Sequence, residues 1–247
     1  MLIGIYTSQR CGSNLCESLL HRHGIKPFGE QYCFKEGGGL IRGKHKKTDQ
    51  PVTHLTNLMS TAPNSNYSVR VMTSRFKHYT EAESHEKMLS IGNTCDNIII
   101  LKREFFYKYT SQKIADITGH WVSFGNKGSG VMGIGDKFSK LFKRKKQEWT
   151  KPVFDPEQYT RWEKTYDRRF DVMNNMFPDA HNITYRGILE SNMNIKYLVP
   201  EHWNVETALD TTVQLPTKQV SNNKTGSDPW KLYQNPDIAK EYFYRAD

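Results

Sequence analysis

Residues 2–24 read LIGIYTSQRCGSNLCESLLHRHG, and the order of apolar and polar residues in this segment indicates the fold class. The first six residues are an apolar run rich in β-branched side chains, which predicts a buried strand. A polar turn containing Gly12 follows, and then a helix over residues 14–23, with Ser13 as its cap. The segment therefore predicts a strand, a loop and a helix in succession.

The rest of the chain continues this alternation. Further apolar runs predict strands over residues 68–72, 97–101 and 181–185. Helical periodicity predicts helices over residues 54–60, 81–90, 104–117, 156–176 and 236–244. The helix over residues 156–176 carries an aromatic stripe whose helical spacing predicts core packing rather than stacking on a sugar, namely Tyr159, Trp162, Tyr166 and Phe170. No internal repeat or linker interrupts the pattern. We therefore expect a three-layer α/β fold around a central parallel sheet, in a single domain over residues 1–247.

The composition limits the classes of function. The 247 residues are 36% hydrophobic, which is enough for one sizeable core. The 35 Lys and Arg residues exceed the 26 Asp and Glu residues and give a formal net charge of +9. Such a balance favours a polyanionic ligand, which nucleic acid, an acidic membrane or a phosphorylated cofactor would each satisfy.

The cysteines predict reduced thiols rather than a disulfide framework or a metal site. There are four of them, Cys11, Cys16, Cys33 and Cys95, and none forms a C-x-x-C pair or has histidines at metal-ligand spacing. The chain also has no signal-peptide pattern and no run of about 18 apolar residues. We expect a cytoplasmic protein without a membrane span.

The turn after the first strand is the strongest candidate site. Its residues are Ser8, Gln9, Arg10, Cys11, Gly12, Ser13 and Asn14. Backbone N–H groups at such a junction, with a helix N-terminus behind them, cradle anionic oxygens. Gly12 allows close approach, Arg10 supplies permanent charge, and the Ser13 and Asn14 side chains donate hydrogen bonds. The alternative is that these residues only cap the helix.

A second candidate lies at the end of the Ile-rich strand. Arg103 follows this strand, and Ser111 lies in the helix that comes next. Ligands bind open α/β sheets at the carboxyl ends of the strands, where an arginine grips phosphate and a nearby serine adds a hydroxyl donor. Taken alone, the pair is better explained by a solvated Arg and a surface Ser.

Together, the two features resemble the sulfotransferases that use 3'-phosphoadenosine 5'-phosphosulfate (PAPS). Residues 8–14 are similar to the S-Q-R-[ST]-G-S loop of bacterial carbohydrate sulfotransferases, including trehalose and nodulation-factor enzymes. Residues 27–34 resemble their G-E-P-x-E-[FY]-[FY] segment. The resemblance implies that a P-loop-like strand-loop-helix holds the 5'-phosphosulfate, and that Arg103 and Ser111 hold the 3'-phosphate.

The resemblance also implies the reaction and further roles. A sulfuryl group would pass by in-line displacement from PAPS to a hydroxyl of a carbohydrate or other small acceptor, leaving 3',5'-adenosine bisphosphate and needing no metal. Arg10 would offset charge at the reacting group, Lys218 would close over the nucleotide, and Glu30 would be the general base. Three other residues stay open as the base, namely Glu36, His21 and His23.

Other patterns support different functions. The basic run KLFKRKK over residues 140–146 is typical of a solvated helix face, although it would also suit a nucleic-acid binder without catalysis. We expect no stable nucleic-acid partner. Another nucleotide-dependent phosphotransferase is disfavoured because Ser13 follows Gly12 where G-x-x-x-x-G-K-[ST] requires Lys. A nucleotide-binding protein that has lost catalysis is a further alternative. Residues 128–133 match G-x-G-x-x-G but predict a loop.

Overall fold

The computed structural model describes residues 1–28, 51–60, 63–73, 81–118, 150–210 and 228–245. The strands within these residues are β1 (Leu2–Thr7), β2 (Ile25–Pro27), β3 (Asn66–Met72), β4 (Asn97–Lys102) and β5 (His181–Thr184). The helices are α1 (Ser13–Arg22), α2 (Pro51–Ser60), α3 (Glu81–Gly92), α4 (Phe105–Thr118), α5 (Pro156–Met176), α6 (Tyr185–Glu190), α7 (Ile195–Leu198) and α8 (Pro236–Tyr244). Two short 3₁₀ segments, Glu201–Trp203 and Pro229–Leu232, complete the described elements.

The strands form one parallel sheet with the order β2-β3-β1-β4-β5. β1 lies at its centre, and all six of its residues are buried. An apolar run of this kind can lie between two neighbouring strands because neither of its faces has to meet water. The predicted α/β class is confirmed, and the helices that flank the sheet agree with the predicted three layers.

The order of the strands places a topological switch point between β1 and β4. The chain leaves β1 through α1 toward β2, on one side of the sheet, whereas it leaves β4 toward β5, on the other side. In open parallel sheets the crevice at such a point, outside the carboxyl ends of the strands, is where ligands bind. The loop after β1 and the residues after β4 therefore meet at the position that the fold favours for a site.

The described residues divide into two compact units. One lies within Met1–Glu104 and Glu163–Val213 and contains the whole sheet, and the other lies within Phe105–Trp162 and Gln214–Asp247. The prediction of a single domain over residues 1–247 stays a prediction. None of the helices in the described ranges combines the length and the hydropathy that crossing a bilayer requires.

The second unit is built on aromatic rings. Phe154 is buried at its centre, with ring centroids 5.3 Å from Tyr159 and 5.1 Å from Tyr233. Edge-to-face and tilted pairs at these distances stabilise a core beyond the area that they bury. Two hydroxyls within this core pair with each other, those of Tyr233 and Thr110, at 3.0 Å. This unit therefore combines aromatic packing with a buried hydrogen bond between side chains.

Two local predictions need correction. The cap of α1 is Gly12, not Ser13, because Gly12 takes the left-handed conformation at φ 93° and Ser13 is already helical. The Ser13 hydroxyl accepts a hydrogen bond from Arg70 instead of capping the helix. β2 was not predicted, because its three residues at the edge of the sheet are too few to show a periodicity.

Candidate functional site

The loop between β1 and α1 has an unusual backbone. Arg10 has φ 68° and Gly12 has φ 93°, whereas Cys11 between them is not in the positive-φ region. The left-handed conformation costs a residue with a side chain roughly 1–2 kcal/mol, so Arg10 is held there by its surroundings. Alternation of this kind turns successive N–H groups toward one concave face, which is an anion-binding arrangement.

The start of α1 adds further donors to this loop. The Gly12 carbonyl accepts hydrogen bonds from the N–H groups of Leu15 and Cys16, at 2.9 and 3.1 Å. Gly12 has no side chain with which to cap the helix, and no other side chain in the described residues does so. The first N–H groups of α1 and the positive end of its dipole are therefore directed at the loop.

Close packing explains why position 12 is glycine. A Cβ atom built on Gly12 would lie 2.1 Å from Cδ2 of Tyr185 and 2.7 Å from its Cε2. The ring of Tyr185 also faces the guanidinium of Arg103, whose Cζ lies 4.6 Å from the ring centroid. Tyr185 thus packs against both the loop and the arginine after β4, and any larger residue at position 12 would separate them.

Arg103 lies behind the loop rather than on the surface. Its exposed fraction is 3%, and its Nη1 donates a hydrogen bond of 3.1 Å to the carbonyl of Arg10. Burial lowers the pKa of Arg103, although an arginine still keeps its charge near neutrality. The side chain therefore supports the left-handed turn at Arg10 and brings positive charge to the same region.

Tyr166 of α5 fixes the backbone of Arg103. Its hydroxyl donates to the Arg103 carbonyl at 2.7 Å and accepts from the Arg103 N–H at 3.0 Å. The same oxygen lies 3.4 Å from Sγ of Cys11. Burial raises the pKa of Tyr166 far above its ordinary value, so the hydroxyl stays protonated and able to donate. One hydroxyl thus links the loop after β1 to the residue after β4.

Threonine hydroxyls tie together the carboxyl ends of three neighbouring strands. Thr7, the last residue of β1, donates to the carbonyl of Leu101 in β4 at 2.8 Å. Thr73, directly after β3, donates to the carbonyl of Thr7 at 3.2 Å. These hydrogen bonds join the ends of β3, β1 and β4, and the loop begins directly after the middle one of these strands.

A buried ion pair reaches the loop from β3. Arg70 Nε lies 2.8 Å from Oε2 of Glu17, and both side chains are more than nine-tenths buried. Nη1 of Arg70 donates to Oδ1 of Asn14 and, at 3.5 Å, to Oγ of Ser13. Three arginines, Arg10, Arg70 and Arg103, therefore contact or belong to the loop. Because Glu17 offsets the charge of Arg70, the positive character of the site comes from Arg10 and Arg103.

The structure brings most of the predicted site residues together. Residues 8–14 and Arg103 meet at the switch point, whereas Ser111 is buried on α4 in the second unit. His21 and His23 lie at the opposite end of α1, about 12 Å or more along the axis from Ser13, so neither adjoins the loop. Burial lowers the pKa of His23. Several predictions lie outside the described residues, namely Glu30, Glu36, Lys218 and the segments 128–133 and 140–146.

Three contributors to the site were not predicted from the sequence, namely Arg70, Tyr166 and Tyr185. The sequence held a signal for Arg70, because it is a charged residue within a short strand and its charge must be paired if the strand is buried on both faces. Tyr166 was predicted only as part of an aromatic stripe with Tyr159, Trp162 and Phe170. Tyr159, Tyr166 and Phe170 are buried, as predicted, and Trp162 is half-buried.

The loop is suited chemically to binding an anion at its donors. Within the described residues no group of three or more His, Cys, Asp or Glu side chains is placed to hold a metal ion. No model of a known protein family matches the chain, and no curated protein sequence matches it either.

Proposed function

We propose that the protein is a sulfotransferase that transfers a sulfuryl group from PAPS to a hydroxyl of a carbohydrate or other small acceptor. The observation that carries this proposal is the loop from Ser8 to Asn14 at the switch point of the sheet, with left-handed residues at positions 10 and 12. Phosphate and sulfate groups are bound in this way by backbone donors at the start of a helix.

The cations around the loop support a doubly anionic ligand. Arg10 lies in the loop itself and is half-exposed, and the buried Arg103 is hydrogen-bonded to its carbonyl. Because Arg103 is fixed by Tyr166 and Tyr185, its charge is already in place before a ligand binds. Preorganised charge of this kind stabilises a transition state without reorganisation, which is how transfer of such groups is accelerated.

The protein would contribute stabilisation of the leaving group, a base for the acceptor and contacts to the nucleotide. When bound, PAPS would supply the sulfuryl group, with a new S–O bond to the acceptor and cleavage of the bond to the phosphate oxygen. The N–H groups of the loop and Arg10 would stabilise the charge left on that phosphate oxygen. Glu30 is the proposed base for the proton of the acceptor hydroxyl. Ser111 and Lys218 are the remaining proposed nucleotide contacts.

A titration of the folded protein with 3',5'-adenosine bisphosphate tests this proposal by calorimetry. We expect micromolar binding and much weaker binding of ATP. Arg10→Ala should weaken binding by about 1.5–3 kcal/mol, because a charged hydrogen bond is lost. Arg22→Ala is the matched control, since it removes the same charge from the far end of α1, about 13 Å along the axis.

Other results would favour other functions. If the folded native protein binds no bisphosphate but is retained on DNA in a salt-dependent manner, the protein is a basic nucleic-acid binder. If ATP binds as tightly as the bisphosphate, a phosphotransferase explains the loop better. If the bisphosphate binds and no acceptor is ever sulfated, catalysis has been lost.

A further inference from the structure

Arg70 controls the first turn of α1 through the direction of its hydrogen bonds. It is a residue of β3, its partner across the sheet in β1 is Ile5, and its side chain contacts Ser13, Asn14 and Glu17. An arginine side chain has five donors and no acceptor. Every group that meets it must therefore present an acceptor to it.

This contact fixes the orientation of two side chains in the loop. Asn14 presents Oδ1 to Arg70, so its Nδ2 donors face the other way. Ser13 accepts at its Oγ, so its hydroxyl hydrogen is directed elsewhere. Among the residues that the structure describes, none accepts a hydrogen bond from Nδ2 of half-buried Asn14. Arg70 thus leaves Asn14 with only donors on the side that faces away from the arginine.

The ion pair with Glu17 indicates that Arg70 has a role other than supplying positive charge to the site. The carboxylate lies 2.8 Å from Nε of Arg70, so the pair as a whole is close to neutral. A cation retained only to attract an anion would gain nothing from such a partner. The pair instead holds the guanidinium in one geometry, because bidentate and charge-assisted contacts of arginine fix direction as well as energy.

A separate observation indicates the kind of group that the loop accepts. The Ser8 hydroxyl is 1% exposed, and within the described ranges it has no hydrogen-bond partner. Buried hydroxyls are nearly always paired, so an orphan beside a loop of left-handed residues points to a ligand atom. Ser8, Ser13 and Asn14 then offer donors from both ends of the loop.

We propose that Arg70 is a positioning residue that turns the Nδ2 donors of Asn14 toward the loop, so that the loop selects a fully ionised group whose oxygens are all acceptors. Sulfate esters and doubly ionised phosphates belong to this class, whereas a group that carries its own hydrogen-bond donor does not. This inference rests on the proposed function, in which the loop holds the 5'-phosphosulfate end of the nucleotide.

Asn14→Asp tests the inference because it keeps an acceptor for Arg70 and replaces the donor that faces the ligand with an acceptor. One carboxylate oxygen still accepts from Arg70, so the melting temperature should equal or exceed that of the native protein. The other oxygen replaces the Nδ2 donors with negative charge facing the ligand. Calorimetric titration with 3',5'-adenosine bisphosphate should show binding at least about 30-fold weaker, as expected for loss of a charge-assisted hydrogen bond.

Ser18→Asp is the matched control. It adds the same charge to the same helix one turn later, about 6 Å from position 14, and should weaken binding less than about 3-fold. If residue 14 does not face the ligand, the two variants should bind alike, because each adds one negative charge to α1 and Asn14→Asp retains the contact with Arg70.

The outcomes separate the two proposals. If the native protein binds and Asn14→Asp binds within 3-fold of it, Arg70 does not orient a group that the ligand touches, and the inference is wrong while the proposed function stands. A clear fall in the melting temperature of Asn14→Asp would show that residue 14 does not accept from Arg70, with the same consequence. If the native protein binds no bisphosphate, both proposals are wrong.

Discussion

Buried polar groups at the two ends of the parallel sheet are hydrogen-bonded in different ways. At the amino end, Asp96 accepts from the N–H of Leu2 at 2.6 Å and donates its own N–H to the Leu2 carbonyl at 2.9 Å. At the carboxyl end, side-chain donors reach the strand ends and the loop that follows β1. They belong to Thr7, Arg70 and Arg103. The reciprocal pair closes the amino end, whereas side-chain donors gather at the carboxyl end.

The difference separates groups that stabilise the fold from groups that prepare a site. Reciprocal pairs such as Leu2 and Asp96 satisfy each other and present nothing to a ligand. The carboxyl end retains a buried Ser8 hydroxyl without a partner in the described residues and holds Arg10 in a left-handed turn. Natural proteins tolerate such costs mainly where they serve a function. Substitutions at the two ends should therefore differ in kind as well as in size.

The largest effect is expected for Arg70→Met at the carboxyl end. This change leaves Glu17 as a buried carboxylate that has lost its arginine, and breaking a buried pair costs about 3–5 kcal/mol of folding free energy. Urea unfolding measures the loss. The variant Arg70→Met/Glu17→Met removes both charges and should recover to within about 1 kcal/mol of the native protein.

The double variant also separates the effect of Arg70 on stability from its effect on ligand binding. We expect it to be folded but to bind 3',5'-adenosine bisphosphate poorly, because Asn14 is no longer oriented. A double variant as unstable as the single one would show that the pair is not the reason for the loss. Recovery of binding together with stability would contradict a site role for Arg70.

An intermediate effect is expected at two glycines, Gly4 within β1 and Gly12 in the loop that follows it. Gly12→Ala places a side chain at φ 93° and a Cβ atom 2.1 Å from the Tyr185 ring, which should cost about 2–4 kcal/mol from strain and overpacking together. Gly4→Ala meets the Sγ atom of Cys95 at 2.9 Å and Cε2 of Tyr6 at 3.1 Å, at an ordinary backbone angle, and should cost about 1 kcal/mol. Thermal unfolding of both variants measures the difference.

The two glycine variants also differ in whether a second substitution can restore their stability. Cys95→Ala removes the atom nearest to a Cβ at position 4, so Gly4→Ala/Cys95→Ala should lose less stability than the sum of the two changes. Gly12→Ala has no such repair, because its φ angle remains unfavourable. Equal costs at positions 4 and 12 would mean that the loop is no more constrained than the strand.

The sequence predicted much of the sheet and helices but only part of the site. The strand Leu2–Thr7 and the helices Pro156–Met176 and Pro236–Tyr244 were predicted with their observed bounds, because hydrophobic periodicity is a local property. The loop of residues 8–14 was also found locally, from a strand, a glycine and a helix start. Contacts that join distant strands were not, since no local pattern encodes them.

Arg70 and Tyr166 show why the rest of the site was missed. Arg70 contacts residues 53 or more positions earlier, and Tyr166 reaches Arg103 from a helix whose periodicity indicates only core packing. Tyr166 looks in sequence like its neighbours in the aromatic stripe, although its hydroxyl has a different role. Such assignments depend on strand order, which the sequence alone left open.

The smallest effect is expected at Cys95, at the amino end. Burial, with a smaller contribution from the charge of Asp96, raises the pKa of its thiol from 9.0 to about 12. Above pH 9 the unfolded chain therefore releases a proton that the folded protein keeps, so stability falls as pH rises. For one such thiol the loss is about 0.8 kcal/mol by pH 9.5. Cys95→Ser should lack this loss while keeping a donor toward the Ile91 carbonyl, to which Sγ donates at 3.3 Å.

Urea unfolding of both proteins at pH 7 and pH 9.5 measures this difference directly. Burial also raises the pKa of the Cys16 thiol, but that residue is common to both proteins and cancels. Because Cys95 lies away from the loop, the affinity for 3',5'-adenosine bisphosphate at pH 7 should be unchanged within about 2-fold, the scatter expected for a site without ligand contact. A larger change in affinity would show that the two ends of the sheet are coupled, and that groups at the amino end also help to hold the loop.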